Sequence, residues 1–288
     1  MLALSGAISL ALSYVGVASA QPPTQDASIE GARIDTASID ARAQALVDKM
    51  TLDEKFQMIH SYFGMDSDKA KQPEGALGSA GYVAGIERLG IPEQQILDAG
   101  LGAGNPGGIR KGDYATAMPS GPANAATWDP ALAFANGAAM GREAWQQGFN
   151  VLLAGGANLH RDPRNGRNFE YAGEDPLLAG VMAGHVIRGV QSQKVVSTLK
   201  HFALNDMETR RNFHDAVIGI QDMHESDLLA FKLAIRTGHP GSVMCSYQKT
   251  NGTYGCEHAY LLGDVLKGEW QYPGYVMTDW GGGHSSAK

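Results

Sequence analysis

The sequence is poor in cysteine, in aromatic residues and in charge. Of its 288 residues, two are cysteine, 8% are aromatic and 18% are charged, and the formal net charge is −7. Without a basic stripe to displace counterions, the chain is not expected to bind nucleic acid. Cys245 and Cys256 lack a partner histidine pattern, so no zinc site is predicted. They could form a disulfide in an exported protein or remain two buried thiols, and the sequence leaves both open.

Long apolar runs are also scarce, and the first one, Leu2 to Val17, lies at the amino terminus. It ends in Ala18-Ser19-Ala20, the small-residue pattern of a signal-peptidase site. We therefore predict a signal peptide over residues 1–20, export to the periplasm or the medium, and no membrane association after cleavage. The alternative is a retained membrane anchor, but the run is short and is interrupted by serines and glycines. Residues 21–37 lack periodicity, which predicts a flexible segment.

Beyond this segment, patterns of helix and strand alternate. Hydrophobic residues make up 43% of the chain, enough to bury a core. Thr51 and Glu54 form a capping-box pattern, and Asp129-Pro130 and Asp175-Pro176 are typical helix starts. Helices are predicted over 39–50, 51–59, 131–147, 177–191, 221–236 and 258–268. Because helices separate the predicted strands, the strands are expected to be parallel.

Polar residues follow five predicted strands. The apolar runs at 95–98, 150–154, 195–199, 242–247 and 275–277 lead to Asp98, Arg161 to Arg167, Lys200-His201, Asn251 and Asp279. Polar groups at the carboxyl ends of successive strands are what an α/β barrel uses to build one active site. Asp279, followed by three glycines, is a candidate nucleophile, although an Asp at a strand end can also cap a loop.

A glycine-rich stretch after the first of these runs imitates a nucleotide-binding motif. Gly102 to Gly107 matches the pattern G-x-G-x-x-G, but Pro106 and Gly108 stand where the helix should begin. No amphipathic helix follows at once. We therefore predict a loop over a binding site and no nicotinamide, flavin or other cofactor.

An ordered set of motifs gives the chain a resemblance to a known family. The motifs are Arg161-Asp162-Pro163-Arg164-Asn165-Gly166-Arg167, Gly173-Glu174-Asp175-Pro176, Lys200-His201-Phe202, Met244-Cys245-Ser246-Tyr247 and Thr278-Asp279-Trp280. In this order and spacing the chain resembles the glycoside hydrolase family three β-glucosidases from about Ala45 onward. The resemblance implies a TIM-type (β/α)8 barrel over residues 38–288. Only its N-terminal portion is expected, with strands one to seven and without the last β/α unit.

The resemblance also implies roles for individual residues. Asp279 is expected to be the nucleophile, and Trp280 is expected to stack on the sugar. The residues expected to bind the terminal glucosyl unit are Asp98, Arg167, Lys200, His201, Arg211 and, near the nucleophile, Tyr247. Arg110 is a further candidate, although the loop before it is longer than in the family. As alternatives, Lys200 and Arg167 could form structural ion pairs with Asp162 or Glu170, and His201 could be a core histidine.

The expected activity is hydrolysis of terminal non-reducing β-D-glucosyl residues from β-glucosides and cello-oligosaccharides, with retention of configuration. In the family the acid comes from a domain beyond the barrel, so this chain is expected to be a fragment that lacks it. His214 does not lie in the Asp-Ser-His context that supplies a histidine acid in one subgroup. No metal is expected. The alternatives are a β-xylosidase, an exo-glucan hydrolase or a non-catalytic sugar-binding protein.

Overall fold

The structure is a computed structural model, and it describes residues 36–68 and 70–285. The predicted signal peptide and residues 21–35 of the predicted flexible segment lie outside the described residues. Helix α1, Thr36–Val47, begins two residues before the expected start of the barrel domain. A boundary between two units falls between Arg42 and Ala43, and every strand of the described residues belongs to the unit that begins at Ala43.

The described residues contain nine strands. They are β1 Gly81–Val83, β2 Gln94–Asp98, β3 Val151–Leu153, β4 Val196–Phe202, β5 Asp215–Ala216, β6 Ser242–Cys245, β7 Lys249–Thr250, β8 Thr253–Tyr254 and β9 Tyr275–Thr278. Six form one sheet in the order β1-β2-β3-β4-β6-β9, and β5-β7-β8 form a small second sheet. From β2 to β9 every pair in the large sheet is parallel. This is the partial α/β barrel that the sequence predicts.

The first strand of the large sheet departs from the prediction. Strand β1 pairs with β2 in antiparallel register, so this sheet has six strands in the described residues where seven were expected. The segment between them holds only the short 3-10 helix Glu87–Leu89 and a bridge between Ile86 and Ile91. A parallel crossover needs a dozen or more residues, usually with a helix, so this short link turns the chain back on itself.

The described residues also contain seven α-helices and one π-helix. After α1 they are α2 Leu52–Met58, α3 Gly121–Ala125, α4 Pro130–Gln146, α5 Pro176–Gln191, α6 Ile220–Glu225, α7 Asp227–Gly238 and the π-helix Ala259–Glu269. The predicted caps are confirmed: Thr51 and Glu54 form the capping box, and Asp129 and Asp175 accept N–H bonds at the starts of α4 and α5. No helix in the described ranges is long and apolar enough to cross a membrane.

Two predicted helices differ from what forms. The helix predicted over 221–236 breaks at Ser226, which has φ −119° and ψ −92° and separates α6 from α7. Its hydroxyl donates to the carbonyl of Asp222 at 2.6 Å, a local bond that competes with helical geometry. The helix predicted over 258–268 forms with π geometry, and the Trp270 N–H donates to the Val265 carbonyl at 2.9 Å.

The central strands β3, β4 and β6 bury both of their faces. Along β3, Val151 and Leu153 pack with Ile96 and Met244 in one apolar cluster, whereas Leu152 packs with the residues of α4 and α5. Alternation of this kind follows from the two-residue period of a strand. The first cluster fills the inside of the partial barrel, and the second joins the strands to the helices.

Candidate active site

The carboxyl ends of the parallel strands gather the candidate residues at one edge of the sheet. Asp98 is the last residue of β2, Lys200 and His201 lie near the end of β4, and Asp279 directly follows β9. Tyr247 follows β6 after a single intervening residue. Between Leu199 and Phe202 the register of β4 against β6 shifts, which changes the direction of Lys200 and His201 relative to a regular strand.

Asp279 is buried, with 6% of its surface exposed, and it is held from its backbone. Its N–H donates to the Cys245 carbonyl at 3.3 Å, and its Oδ1 accepts the N–H of Trp280 at 2.8 Å. Its Oδ2 has no hydrogen-bond partner among the described residues and lies 3.6 Å from His201 Nε2. Oδ1 is therefore fixed by the Trp280 N–H, and Oδ2 faces His201.

Burial raises the pKa of Asp279 above its usual value, because a desolvated carboxylate prefers its neutral form. The Tyr247 hydroxyl, the Trp280 N–H and the charges of Arg167 and Lys200 act in the opposite direction. Burial, followed by the interaction with Asp279, raises the pKa of Tyr247. Tyr247 therefore remains a protonated hydroxyl facing the carboxylate.

His201 is a neutral histidine whose tautomer follows from its partners. Burial lowers its pKa well below the usual range, and Arg167, Lys200 and Arg211 lower it further. Its Nε2 lies 2.8 Å from Arg167 Nη2, and its Nδ1 lies 3.0 Å from the Tyr171 hydroxyl. Because a guanidinium can only donate, Nε2 accepts and the proton is on Nδ1. The close approach of His201 to Asp279 is therefore not an ion pair.

Glu170, which the sequence indicated only as a possible structural partner, holds two of the candidate cations. Its carboxylate accepts from Arg167 Nε at 2.5 Å and lies 3.2 Å from Lys200 Nζ. Asp162, the other possible partner, instead pairs with Arg164 at 2.8 Å. The ion pairs with Glu170 thus form, while Arg167 still reaches His201.

Glu208 was missed by the sequence analysis. Its Oε2 lies 2.8 Å from Arg211 Nη1, and its Oε1 lies 3.4 Å from Arg167 Nη1. The guanidinium of Arg211 lies over the Tyr247 ring, 4.0 Å from its centroid. The sequence offered one signal for this ion pair: Glu208 and Arg211 are three residues apart in the loop after Lys200-His201. Because surface pairs commonly have the same spacing, it does not by itself indicate a functional site.

Asp98 and Trp280 are two of the candidates that remain. The Asp98 carboxylate is exposed and makes no hydrogen bond or ion pair with any other described residue. Trp280 is half buried, and its indole Nε1 donates to the Ala80 carbonyl at 2.9 Å. This bond fixes the plane of the Trp280 ring beside β1, where a Cβ on Gly81 would lie 3.1 Å from it.

Arg110 is engaged elsewhere. Its guanidinium donates to the carbonyls of Gly78 and Gly104 at 2.8 and 2.7 Å and to Asp113 at 2.8 Å. It also lies over the Phe149 ring, and none of these contacts is with the other candidate residues. Arg110 ties the long loop to its surroundings because its donors are used by loop carbonyls.

The glycine-rich stretch does not have the geometry of a dinucleotide site. Pro106–Gly108 form one 3-10 turn, and the next α-helix is the five-residue α3, which begins at Gly121. No helix N-terminus therefore directly follows the glycines to receive a pyrophosphate. In residues 36–68 and 70–285 no group of three or more His, Cys, Asp or Glu side chains is arranged to hold a metal ion.

A disulfide lies directly under the loop that carries Asp279. Cys245 and Cys256 are bonded, which decides between the two possibilities left open by the sequence. A Cβ on Gly282 would lie 3.0 Å from the Cys256 sulfur, so disulfide and loop are in close contact. The neighbouring Glu257 accepts the N–H groups of His284 and Ser285 at 2.6 and 2.5 Å. The segment after Asp279 is thus held on both sides of its glycines.

Comparison with known proteins places this site in a family. Residues 84–287 match the glycosyl hydrolase family 3 N terminal domain, and the chain belongs to that family. A β-glucosidase of Bacteroides ovatus is 37% identical over 265 residues, covering 88% of this chain and 32% of the relative. An exo-alpha-(1->6)-L-arabinopyranosidase of Bifidobacterium longum is 38% identical over 220 residues, covering 72% and 28%.

Solved structures agree with the sequence relatives. The structure of β-glucosidase 3B from Thermotoga neapolitana in complex with glucose has a TM-score of 0.78 and 36% identity, covering 83% of this chain and 34% of that protein. The chain therefore spans about a third of the length of the relatives that it matches.

Proposed function

We propose that the protein containing this chain hydrolyses terminal non-reducing β-D-glucosyl residues with net retention of configuration. The observation that carries the proposal is Asp279, a buried carboxylate with one free oxygen, among Arg167, Lys200, His201 and Tyr247. A retaining glycosidase needs such a carboxylate to attack the anomeric carbon and form a covalent glycosyl intermediate. Membership of the family and its β-glucosidase relatives support the same reaction.

In the proposed mechanism the site residues divide into an attacking group and groups that hold the sugar. Asp279 Oδ2 attacks the anomeric carbon, and the Trp280 N–H holds Oδ1 during the attack. Asp98, which has no partner among the described residues, accepts from sugar hydroxyls, and the cations donate to hydroxyl oxygens. Hydrogen bonds to charged groups in a desolvated site discriminate strongly for a correctly placed substrate.

The acid that protonates the leaving oxygen is proposed to come from outside these residues. A general acid needs a raised pKa, but Glu170 is paired with two cations and its pKa is lowered. Glu208 is likewise paired with two arginines. Neither glutamate is suited to donate a proton, so we expect the acid on another segment of the natural protein.

A second candidate function is hydrolysis of a pentopyranoside by the same mechanism. The relative from Bifidobacterium longum, named an arabinopyranosidase, is 38% identical to this chain and favours testing such substrates. β-Xylosidase and exo-glucan hydrolase activities fall under the same test. A non-catalytic sugar-binding protein would bind glucose and hydrolyse none of these substrates.

The test uses the natural protein that contains this chain. Steady-state kinetics would compare 4-nitrophenyl β-glucoside, β-xyloside and α-L-arabinopyranoside, and proton NMR would follow the anomer formed first. We expect the highest kcat/KM on the β-glucoside and β-glucose as the first product, with no turnover by Asp279→Ala. A preference for a pentopyranoside supports the second candidate, and binding without hydrolysis supports the sugar-binding protein.

We also propose that the protein is exported and that its mature chain begins at Gln21. Ala18-Ser19-Ala20 supports this, and so does the Cys245–Cys256 disulfide, since disulfides persist in oxidising compartments. N-terminal sequencing of the protein recovered from the periplasm or the medium tests the proposal. A retained Met1 would contradict it.

A further inference from the structure

Two arginines of the proposed sugar site share one carboxylate, that of Glu208. Arg167 belongs to the loop after β3, and Arg211 belongs to the loop after β4. Glu208 Oε2 lies 2.8 Å from Arg211 and its Oε1 lies 3.4 Å from Arg167, with Asn205 Nδ2 at 3.5 Å from the same Oε1. The side chain of Glu208 is 22% exposed.

The backbone holds Glu208 in this position. Its N–H donates to the Asn165 carbonyl at 3.3 Å, and its carbonyl accepts the N–H of Arg211 at 3.2 Å. Gly166 adopts φ +93°, a backbone conformation that favours glycine, and a Cβ there would be in ordinary contact with Glu208 Cβ at 3.6 Å. The carboxylate is therefore placed by two loops and not by its own side chain alone.

Each arginine held by Glu208 contacts a different residue beside Asp279. Arg211 lies 4.0 Å from the centroid of the Tyr247 ring, and Arg167 Nη2 donates to His201 Nε2 at 2.8 Å. Tyr247 and His201 are in turn the side chains that face the Asp279 carboxylate. Glu208 is thus linked to Tyr247 through Arg211 and to His201 through Arg167.

The charges of the site balance only if Glu208 is included. Neutral His201 is surrounded by three cations, Arg167, Lys200 and Arg211. Facing them are three carboxylates, Glu170, Glu208 and Asp279. Without Glu208 the network carries one uncompensated positive charge close to Asp279.

We infer that Glu208 is a positioning residue for this reaction: it holds Arg211 on Tyr247 and Arg167 on His201, and so fixes the donors around Asp279. The inference rests on the proposed glycosidase function. A merely structural ion pair at the same place would affect stability, but it would leave the pH dependence of the reaction and the position of Arg211 unchanged.

The test is the pH profile of kcat/KM on a β-glucoside for Glu208→Gln in the natural protein. The groups facing Asp279 are Arg167, Lys200, His201 and Tyr247, and loss of the Glu208 charge adds net positive charge to them. Positive charge favours ionised Asp279, so we expect the acid limb to move to lower pH by about half a unit to one unit. We also expect kcat/KM at the optimum to fall on the order of tenfold, because the arginines lose their anchor.

Two variants serve as controls. Glu208→Asp keeps the charge and should retain the wild-type acid limb even if kcat/KM falls. Glu269→Gln removes a carboxylate from an ion pair with Lys232, formed at 2.9 Å between the π-helix and α7, and should change neither the limb nor kcat/KM. An unmoved acid limb in Glu208→Gln, with wild-type kcat/KM, would overturn the inference.

A crystal structure of Glu208→Gln decides the inference independently of turnover. We expect the Arg211 guanidinium to leave its position 4.0 Å from the Tyr247 ring. If the wild-type protein hydrolyses no glycoside, the proposed function fails while this measurement still judges the positioning role. Arg211 unmoved on Tyr247 in the variant would contradict that role.

Discussion

Asp279 combines two properties that oppose each other in a folded protein. Its carboxylate is buried, which raises its pKa and destabilises the charged form. Within the described residues its Oδ2 accepts no well-formed hydrogen bond, so the Tyr247 hydroxyl and the Trp280 N–H offset only part of this cost. A nucleophile needs this free oxygen, because each hydrogen bond that it accepted would reduce its reactivity. The proposed role of Asp279 as nucleophile would therefore come at the expense of stability.

This opposition predicts that Asp279→Asn is more stable than the wild type at pH 7. The folded-state pKa of Asp279 is raised, so its ionised form costs folding free energy at neutral pH, and the cost disappears as pH falls through that pKa. Denaturant unfolding at pH 7 and at lower pH measures this effect. The stability difference between variant and wild type should shrink on acidification, and a less stable variant at pH 7 would contradict the prediction.

For Asp98 we predict an effect on catalysis and not on stability, because its carboxylate has no partner in the described residues. Asp98→Ala should leave the free energy of unfolding within about 0.5 kcal/mol of the wild type, as expected for an exposed side chain. It should lower kcat/KM on an aryl β-glucoside by about 2–4 kcal/mol of transition-state stabilisation, since charge-assisted bonds to two hydroxyls are lost.

Asp129→Ala is the matched control for Asp98→Ala. Asp129 caps α4 by accepting from the N–H groups of Ala131 and Leu132 at 2.8 and 3.3 Å. Its removal should lower stability by about 1 kcal/mol and leave kcat/KM unchanged. An unchanged kcat/KM in Asp98→Ala would place Asp98 outside the site.

Residue roles could be predicted from the sequence only where position along the chain implies position in space. Lys200, His201 and Asp279 end strands, so a barrel brings them together. Glu170 and Glu208 lie inside loops, and their partners Lys200 and Arg167 lie 30 and 41 residues away along the chain. Loop conformations bring these pairs together, and no periodicity in the sequence indicates them.

At the scale of elements, helices α4 and α5 approach each other closely at two glycines. A Cβ on Gly137 in α4 would lie 2.0 Å from the Val186 carbonyl oxygen of α5, and one on Gly189 in α5 would lie 2.1 Å from the Phe134 carbonyl oxygen. The two backbones therefore touch where both helices carry glycine. Helix α4 precedes β3 and α5 connects β3 to β4, so their spacing affects the strand that carries Lys200 and His201.

Gly137→Ala should consequently separate α4 from α5. The added methyl meets a backbone atom, which cannot move aside as a side chain can, so we expect a loss of about 1–3 kcal/mol of stability. Gly263→Ala in the π-helix is the control, since a Cβ there meets nothing within 4 Å. Its effect should be neutral or stabilising by up to about 1 kcal/mol. Denaturant unfolding compares the two, and equal effects would argue against the close packing of α4 on α5.

The sequence predicted where helices begin better than it predicted whether a helix continues without a break. The caps at Thr51, Asp129 and Asp175 depend on local hydrogen bonds that the sequence contains in full. The break at Ser226 occurs where Ser226 and Asp227 also bind Arg161 from a distant loop. That tertiary contact overrides an amphipathic pattern that would otherwise continue.

For the whole molecule, alternation of helix and strand predicted the parallel sheet and the edge at which the site forms. The antiparallel β1 was not predicted, because its direction depends on the short link to β2 and not on the pattern of the strand itself. The disulfide was left open for a similar reason, since Cα atoms of Cys245 and Cys256 come within 5.0 Å only through the turn that contains β7 and β8.

The central claim is that Asp279 attacks the anomeric carbon, and covalent trapping tests it most directly. A 2,4-dinitrophenyl 2-deoxy-2-fluoro-β-glucoside has a leaving group that departs without protonation, and its fluorine slows hydrolysis of the intermediate. Incubated with the natural protein and analysed by peptide mass spectrometry, it should leave one fluoroglucosyl group on the peptide that contains Met277 to Trp280. Asp279→Ala should remain unlabelled. A label on any other residue, or hydrolysis of natural glucosides with inversion, would contradict the assignment of Asp279.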